Sequence, residues 1–139
     1  MSEIKKELGK HFILELSECN RDRIKLVSVV KEIFLNAARL SKATILDYFF
    51  HQFQPAGVSG VILIAESHFT IHTWPEEKYA GIDIFTCGEM DIDIAIKTMQ
   101  QGFLPAHSKV QKISRGSYET INKQPVPVYS HLSDHNRPS

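Results

Sequence analysis

Cysteine is scarce in this sequence: Cys19 and Cys87 are the only two among 139 residues. Small secreted domains that depend on disulfides carry more, so a disulfide framework is excluded. Neither sign of charge is in excess, with 16 Lys and Arg against 16 Asp and Glu. No basic cluster marks a face for phosphate backbones, which removes nucleic acid from the expected partners. The seven glycines form no phosphate-cradling loop. The longest uninterrupted apolar run, Val61 to Ala65, is far short of the ~20 residues that a membrane-spanning helix needs. Glu3, Lys5, Lys6 and Glu7 break up the region where a secretory leader would carry its apolar core. A cytoplasmic protein with no membrane association is expected.

What is present suffices for one folded domain. The hydrophobic content is 42%, enough for a core at this length. Residues 11–18 read as a first strand. Asn20 or Asp22 can cap a helix that runs to about Leu40, because Leu26, Val29, Val30, Ile33, Phe34, Ala37 and Leu40 recur at helical spacing. Residues 43–54 read as a second strand, ended by Pro55-Ala56-Gly57. Strands follow at 58–65, 70–74 and 79–86, then a helix capped by Asp91 and a last strand at 109–114. The order β-α-β-β-β-β-α-β predicts an α+β fold, a mainly antiparallel sheet with two helices packed on one face. Residues 1–118 are expected to form the domain. Residues 119–139, with three of the six prolines and no periodicity, are expected to form a loose tail.

Reactive side chains concentrate in two neighbouring runs. Glu66-Ser67-His68-Phe69-Thr70-Ile71-His72-Thr73-Trp74-Pro75-Glu76 is followed by Ile82-Asp83-Ile84-Phe85-Thr86-Cys87-Gly88. The residues between them favour strands, and a sheet holds reactive groups more precisely than a loop does. Taken singly, each has an ordinary explanation. A serine in a turn is usually structural, a lone cysteine at a strand end is usually a small buried hydrophobe, and Trp74 before Pro75 can plug a core. His68 and His72 would be neighbours on a helix and could bind zinc there. The β-branched surroundings argue against a helix, and no third ligand has a recognisable spacing. No metal site is expected.

Taken jointly, these runs resemble the processing and active-site signature of the short prokaryotic S-adenosylmethionine decarboxylases. Gly9-Lys10-His11, Glu18-Cys19, Phe53-Gln54-Pro55, Gly57-Val58-Ser59-Gly60 and Ala80-Gly81-Ile82-Asp83 fall in the same order, so the resemblance covers about residues 8 to 118. It implies that the chain cuts itself between Glu66 and Ser67 and converts Ser67 into a pyruvoyl cofactor. It further implies decarboxylation of S-adenosylmethionine through a Schiff base, supplying the aminopropyl donor for spermidine synthesis. The family pattern assigns the base of processing to His72, an orienting role at the processing site to Ser59, and the proton donor of decarboxylation to Cys87. Phe53 and Trp74 match substrate-site aromatics, and Glu76 is placed to accept hydrogen bonds from ribose hydroxyls. A homodimer with active sites at or near the subunit contact is also implied.

Five residues of straight strand would put Ser67 ~16 Å from His72. A bend within 66–69 is therefore expected, with Val58–Ala65 and Thr70–Trp74 as the arms of a hairpin, to bring the two together. Two alternatives remain open on the sequence. One is an arginine or ornithine decarboxylase using the same pyruvoyl chemistry, against which Trp74 and Glu76 favour a nucleoside. The other is a catalytically inert regulatory homologue, against which the retention of Ser67, His72 and Cys87 weighs.

Overall fold

The computed structural model describes residues 7–117, so the expected tail lies outside the described residues. Strand β1 (Gly9–Ser17) leads into a one-turn helix α1 (Arg21–Ile24) and helix α2 (Val27–Leu40). Strands β2 (Ile45–Gln52), β3 (Val58–Ile64), β4 (Ser67–Trp74) and β5 (Tyr79–Thr86) follow, then helix α3 (Ile92–Phe103) and strand β6 (His107–Arg115). Pro75–Glu77 form a single 3-10 turn between β4 and β5. The six strands make one sheet in the order β2-β3-β4-β5-β1-β6, and every neighbouring pair is antiparallel. The α+β class and the antiparallel sheet match the sequence expectation.

Strict alternation decides which face is buried. Along β5, Ala80, Ile82, Ile84 and Thr86 point inward and the residues between them do not, as a period of two requires. Phe69 and Ile71 of β4 and Ile62 and Ile64 of β3 join the same layer. Phe34 of α2 and Met99 and Phe103 of α3 cover them, all three without solvent exposure. Among the described residues no helix covers the opposite face. It carries His72 and Ser59 together with Phe49, Val61 and Leu63, the last three 38–66% exposed.

The expected single helix from residue 20 to residue 40 is in fact two. Leu26 is extended, with φ −113° and ψ 138°. The gap is filled by Gln52 of β2. Val27 N–H donates to Gln52 Oε1 at 2.6 Å, and Gln52 Nε2 donates to the carbonyls of Lys25 (2.9 Å) and Gly57 (3.0 Å). One amide thus satisfies the open ends of both helices and ties them to the loop that follows β2. The apolar stripe read from the sequence begins at Leu26, the break itself, so the pattern gave no sign of it.

Candidate active site

The β3–β4 hairpin is closed by a two-residue turn, Ala65–Glu66, with Ile64 paired to Ser67. Such turns favour Gly, Asn or Asp because the backbone must visit positive φ. None is present here, and the positive φ falls on Ser67 at 155°. A residue with a side chain in this region costs on the order of 1–3 kcal/mol. Strain therefore sits at the Glu66–Ser67 peptide.

The turn is held from the β5 side by Cys87. Its backbone N–H donates to the Glu66 carbonyl oxygen at 2.8 Å, and its thiol donates to the same oxygen at 3.1 Å. Two donors converging on one carbonyl form the arrangement that stabilises an oxyanion when a nucleophile adds to the carbonyl carbon. Cys87 is exposed and borders a cavity of about 310 Å³ that Leu8, Lys10 and Glu89 also line. Cys19 is different: it is buried, and burial pushes its thiol up to about 11, so it stays protonated and unreactive.

A second group of residues lies along β3 and β4. Ser59 and His72 are directly paired across the strands, and Ser59 Oγ is 2.7 Å from His72 Nδ1. Phe53, Gly57, Ser59, His72, Trp74 and Glu76 line one cavity of about 270 Å³. Gly57 turns the chain into β3 at φ 114°, a value glycine adopts freely. Arg21 Nε donates to the Pro75 carbonyl at 3.1 Å and fixes the turn that presents Glu76. Trp74 packs against Tyr79 with ring centres 5.5 Å apart. Burial pushes the Tyr79 phenol up to about 12, and the nearby Glu15 carboxylate, to which it donates, reinforces the shift. Tyr79 is thus a fixed wall.

The expected hairpin is formed, but it turns at Ala65–Glu66 and the chain does not bend beyond Glu66. The turn ends at Glu66, and β4 runs from Ser67 to Trp74 paired on both sides, to β3 and to β5. The register with both neighbours is continuous from Ser67 to His72, with no bulge between them. Ser67 and His72 of one chain consequently stand ~16 Å apart, five steps at about 3.3 Å. The structure gathers Glu66, Ser67 and Cys87 at the hairpin tip. It gathers Phe53, Ser59, His72, Trp74 and Glu76 at the second cavity. It does not join the two groups within one chain. His68 and His72 lie on a strand, and among the described residues no group of three or more His, Cys, Asp or Glu is placed to hold a metal ion. No described helix is long and apolar enough to cross a membrane.

Two neighbours of the tip escaped the sequence reading. Thr44 acts through its backbone, donating its N–H to Glu66 Oε1 at 3.0 Å and accepting from Ala65 N–H at 2.8 Å. Gly88 lies against Glu66, where an added Cβ would meet Glu66 Cγ at 2.4 Å. A backbone amide 22 residues away has no sequence signature. Gly88 stands in the Cys87-Gly88 pair but had no role without the contact.

The chain has counterparts among known proteins. The family model for S-adenosylmethionine decarboxylase matches residues 10–116. A protein of Thermodesulfovibrio yellowstonii named S-adenosylmethionine decarboxylase proenzyme is 44% identical over 118 residues, 84% of this chain and 87% of its own length. Proteins of the same name from Thermotoga maritima and Pyrococcus horikoshii are 44% and 39% identical, over 84% and 81% of this chain and 90% and 81% of their own. The crystal structure of the adenosylmethionine decarboxylase of Aquifex aeolicus superposes with a TM-score of 0.78 at 33% identity, covering 86% of this chain and all of that one. Sequence and fold agree along nearly the whole described domain: the chain belongs to the S-adenosylmethionine decarboxylase family.

Proposed function

We propose that this protein is a pyruvoyl-dependent S-adenosylmethionine decarboxylase that makes its cofactor by cutting its own Glu66–Ser67 peptide, and that it works as a homodimer. The observation that carries the proposal is the Glu66 carbonyl oxygen, held by both the N–H and the thiol of Cys87 beside the strained Ser67. Ser67 Oγ adds to the Glu66 carbonyl carbon while the two Cys87 donors take up the charge on oxygen. The C–N bond breaks and nitrogen receives the hydroxyl proton, leaving an ester and a free amine on Ser67. A base then removes the Ser67 Cα proton, and the Cβ–O bond breaks to release Glu66 as a carboxylate. The remaining enamine tautomerises to an imine, and water displaces ammonia.

His72 is that base. With its Nδ1–H donating to Ser59 Oγ, its Nε2 carries the lone pair. It serves a second copy of the chain, because its own Ser67 is ~16 Å away on a continuous strand. The uncovered sheet face, with His72 and Ser59 beside exposed Phe49, Val61 and Leu63, is where that copy lies.

The residues fit the cofactor, since the serine to be converted sits where a strained peptide and two oxyanion donors meet. A pyruvoyl group at residue 67 supplies a ketone conjugated to an amide, which draws in the electron pair left when carbon dioxide departs. Phe53 and Trp74 stack the adenine, or face the sulfonium for about 0.5–2 kcal/mol. Glu76 accepts the ribose hydroxyls. Cys87 returns a proton to the substrate Cα. The grouping of Phe53, Trp74 and Glu76 in one cavity favours this nucleoside over arginine or ornithine.

Intact mass and mixed dimers test the two halves of the proposal. The wild type should yield fragments 1–66 and 67–139, the second with a borohydride-sensitive carbonyl. A chain that stays at 15.8 kDa refutes self-cleavage. Ser67→Ala and His72→Ala should each remain uncut alone. Coexpressed, the His72→Ala chain should be cut, because its Ser67 meets the histidine of its partner. No cutting in the mixture means that the base is not shared between chains.

A further inference from the structure

In the cleavage reaction Glu66 acts through its main-chain carbonyl alone, yet its side chain has partners of its own. Glu66 Oε1 accepts from Thr44 N–H at 3.0 Å, and the Thr44 carbonyl accepts from Ala65 N–H at 2.8 Å. Thr44, just before β2, thus grips both residues of the turn. On the other flank the Glu66 side chain lies flat against the α-carbon of Gly88, close enough that a Cβ there would overlap it. The peptide is therefore fixed on three sides, by Thr44, by Cys87 and by the bare face of Gly88.

This matters because the turn lacks the residues that would make it relaxed. A two-residue tip without glycine or asparagine, with φ 155° at Ser67, can lower its energy by rotating the peptide planes on either side of residue 66. That rotation would carry the Glu66 oxygen away from the Cys87 donors and change the approach of Ser67 Oγ to the carbonyl carbon. The hydrogen bond from the fixed Thr44 amide to Glu66 Oε1 opposes the rotation.

We propose that the Glu66 carboxylate is a positioning group for the acyl shift, holding the scissile carbonyl against Cys87 by bridging the Thr44 amide across Gly88. The inference rests on the self-cleavage reading, but it assigns a function to a side chain that the chemistry does not otherwise use. The geometry requires an acceptor at Oε1 and sets no demand for a negative charge there. Glutamine, whose side-chain oxygen can occupy the same place, should therefore substitute.

The test follows self-cleavage of full-length chains by intact mass after rapid synthesis in a cell-free system. A misplacement of 1 Å can cost on the order of 10² in rate, so Glu66→Ala should be cut about 10–10²-fold more slowly than wild type. Glu66→Gln should stay within about threefold of wild type, as expected when only the charge on a retained hydrogen bond is lost. Gly88→Ala, which drives the side chain off its seat, should be slow as well. Stability is read separately in uncleavable chains, where Glu66→Ala in the Ser67→Ala background should unfold at nearly the same temperature as Ser67→Ala alone. Wild-type rates for Glu66→Ala or Gly88→Ala, or a Glu66→Gln chain as slow as Glu66→Ala, would overturn the inference. So would a large loss of thermal stability in the doubly substituted chain, since it would reduce Glu66 to a folding residue. None of these outcomes touches the cleavage reading, which fails only if the wild type is never cut.

Discussion

Under the proposed function, Cys87 carries two tasks that the sequence could not separate. The resemblance assigns it proton donation during decarboxylation. The structure adds that its thiol already donates to the scissile carbonyl at 3.1 Å before any cut is made. Removing one of two oxyanion donors costs on the order of 10²–10³ in rate. Cys87→Ala should therefore cut itself more slowly by about that factor, using the backbone N–H alone. Once cut, it should turn over substrate about 10²–10⁴-fold more slowly, the range for a positioned acid, and should accumulate alanine at the new N-terminus through misplaced protonation. Mass spectrometry of the 67–139 fragment reads both effects, and full processing speed with no alanine would leave Cys87 a packing residue. The residues proposed for the site stand out in the sequence, because Ser67, His72, Cys87, Trp74 and Glu76 fall within one short stretch in a recognisable order. Their partners do not. The bond between Cys87 and Glu66 spans 21 residues, and the Thr44 contact is made by a main-chain amide, which every residue except proline carries.

At the scale of elements, the strands were readable and the joints were not. The alternation along β5 fixed its limits at 79–86 from sequence, and the structure places them there. The first helix was misread because its apolar stripe starts only at Leu26, where the break falls, and the cause of the break lies on another element. Gln52 holds the Val27 N–H and the Lys25 and Gly57 carbonyls at once. Gln52→Ala should thus strip partners from the ends of two helices, at about 1–3 kcal/mol, seen as a lower unfolding midpoint. Because Gly57 belongs to the loop lining the second cavity, the same substitution should raise KM more than it lowers kcat. A variant of unchanged stability and KM would show that water replaces the amide without cost. The hairpin was foreseen, but its bend was misplaced for a related reason. With no turn residue to mark it, the bend was drawn where the chemistry seemed to need it, whereas the pairing of β4 with strands on both sides keeps it straight.

For the whole molecule, the order of strands was the part least visible in the sequence. Neighbours along the chain pair from β2 through β5, but β1 leaves its place at the start and inserts between β5 and β6. Seven of its residues are in register with β5 and nine with β6. A cut at the β3–β4 turn therefore assigns β1, β2 and β3 to one polypeptide and β4, β5 and β6 to the other, with each contributing strands to the middle of the same sheet. The two pieces are interdigitated and cannot drift apart while the sheet is intact. Their reassembly is another matter. Before the cut, the chain refolds by closing loops upon itself, whereas afterwards two separate molecules must meet and thread β1 between two strands of the other. Recovery of the far-UV signal after denaturation should be independent of dilution for Ser67→Ala, and should slow about tenfold for each tenfold dilution of the cut protein, as a bimolecular step does. Equal dilution behaviour would mean that the pieces fold separately. An enzyme that matures by the proposed cut is thus assembled as one molecule and, once cut, has given up the connection that let it fold alone.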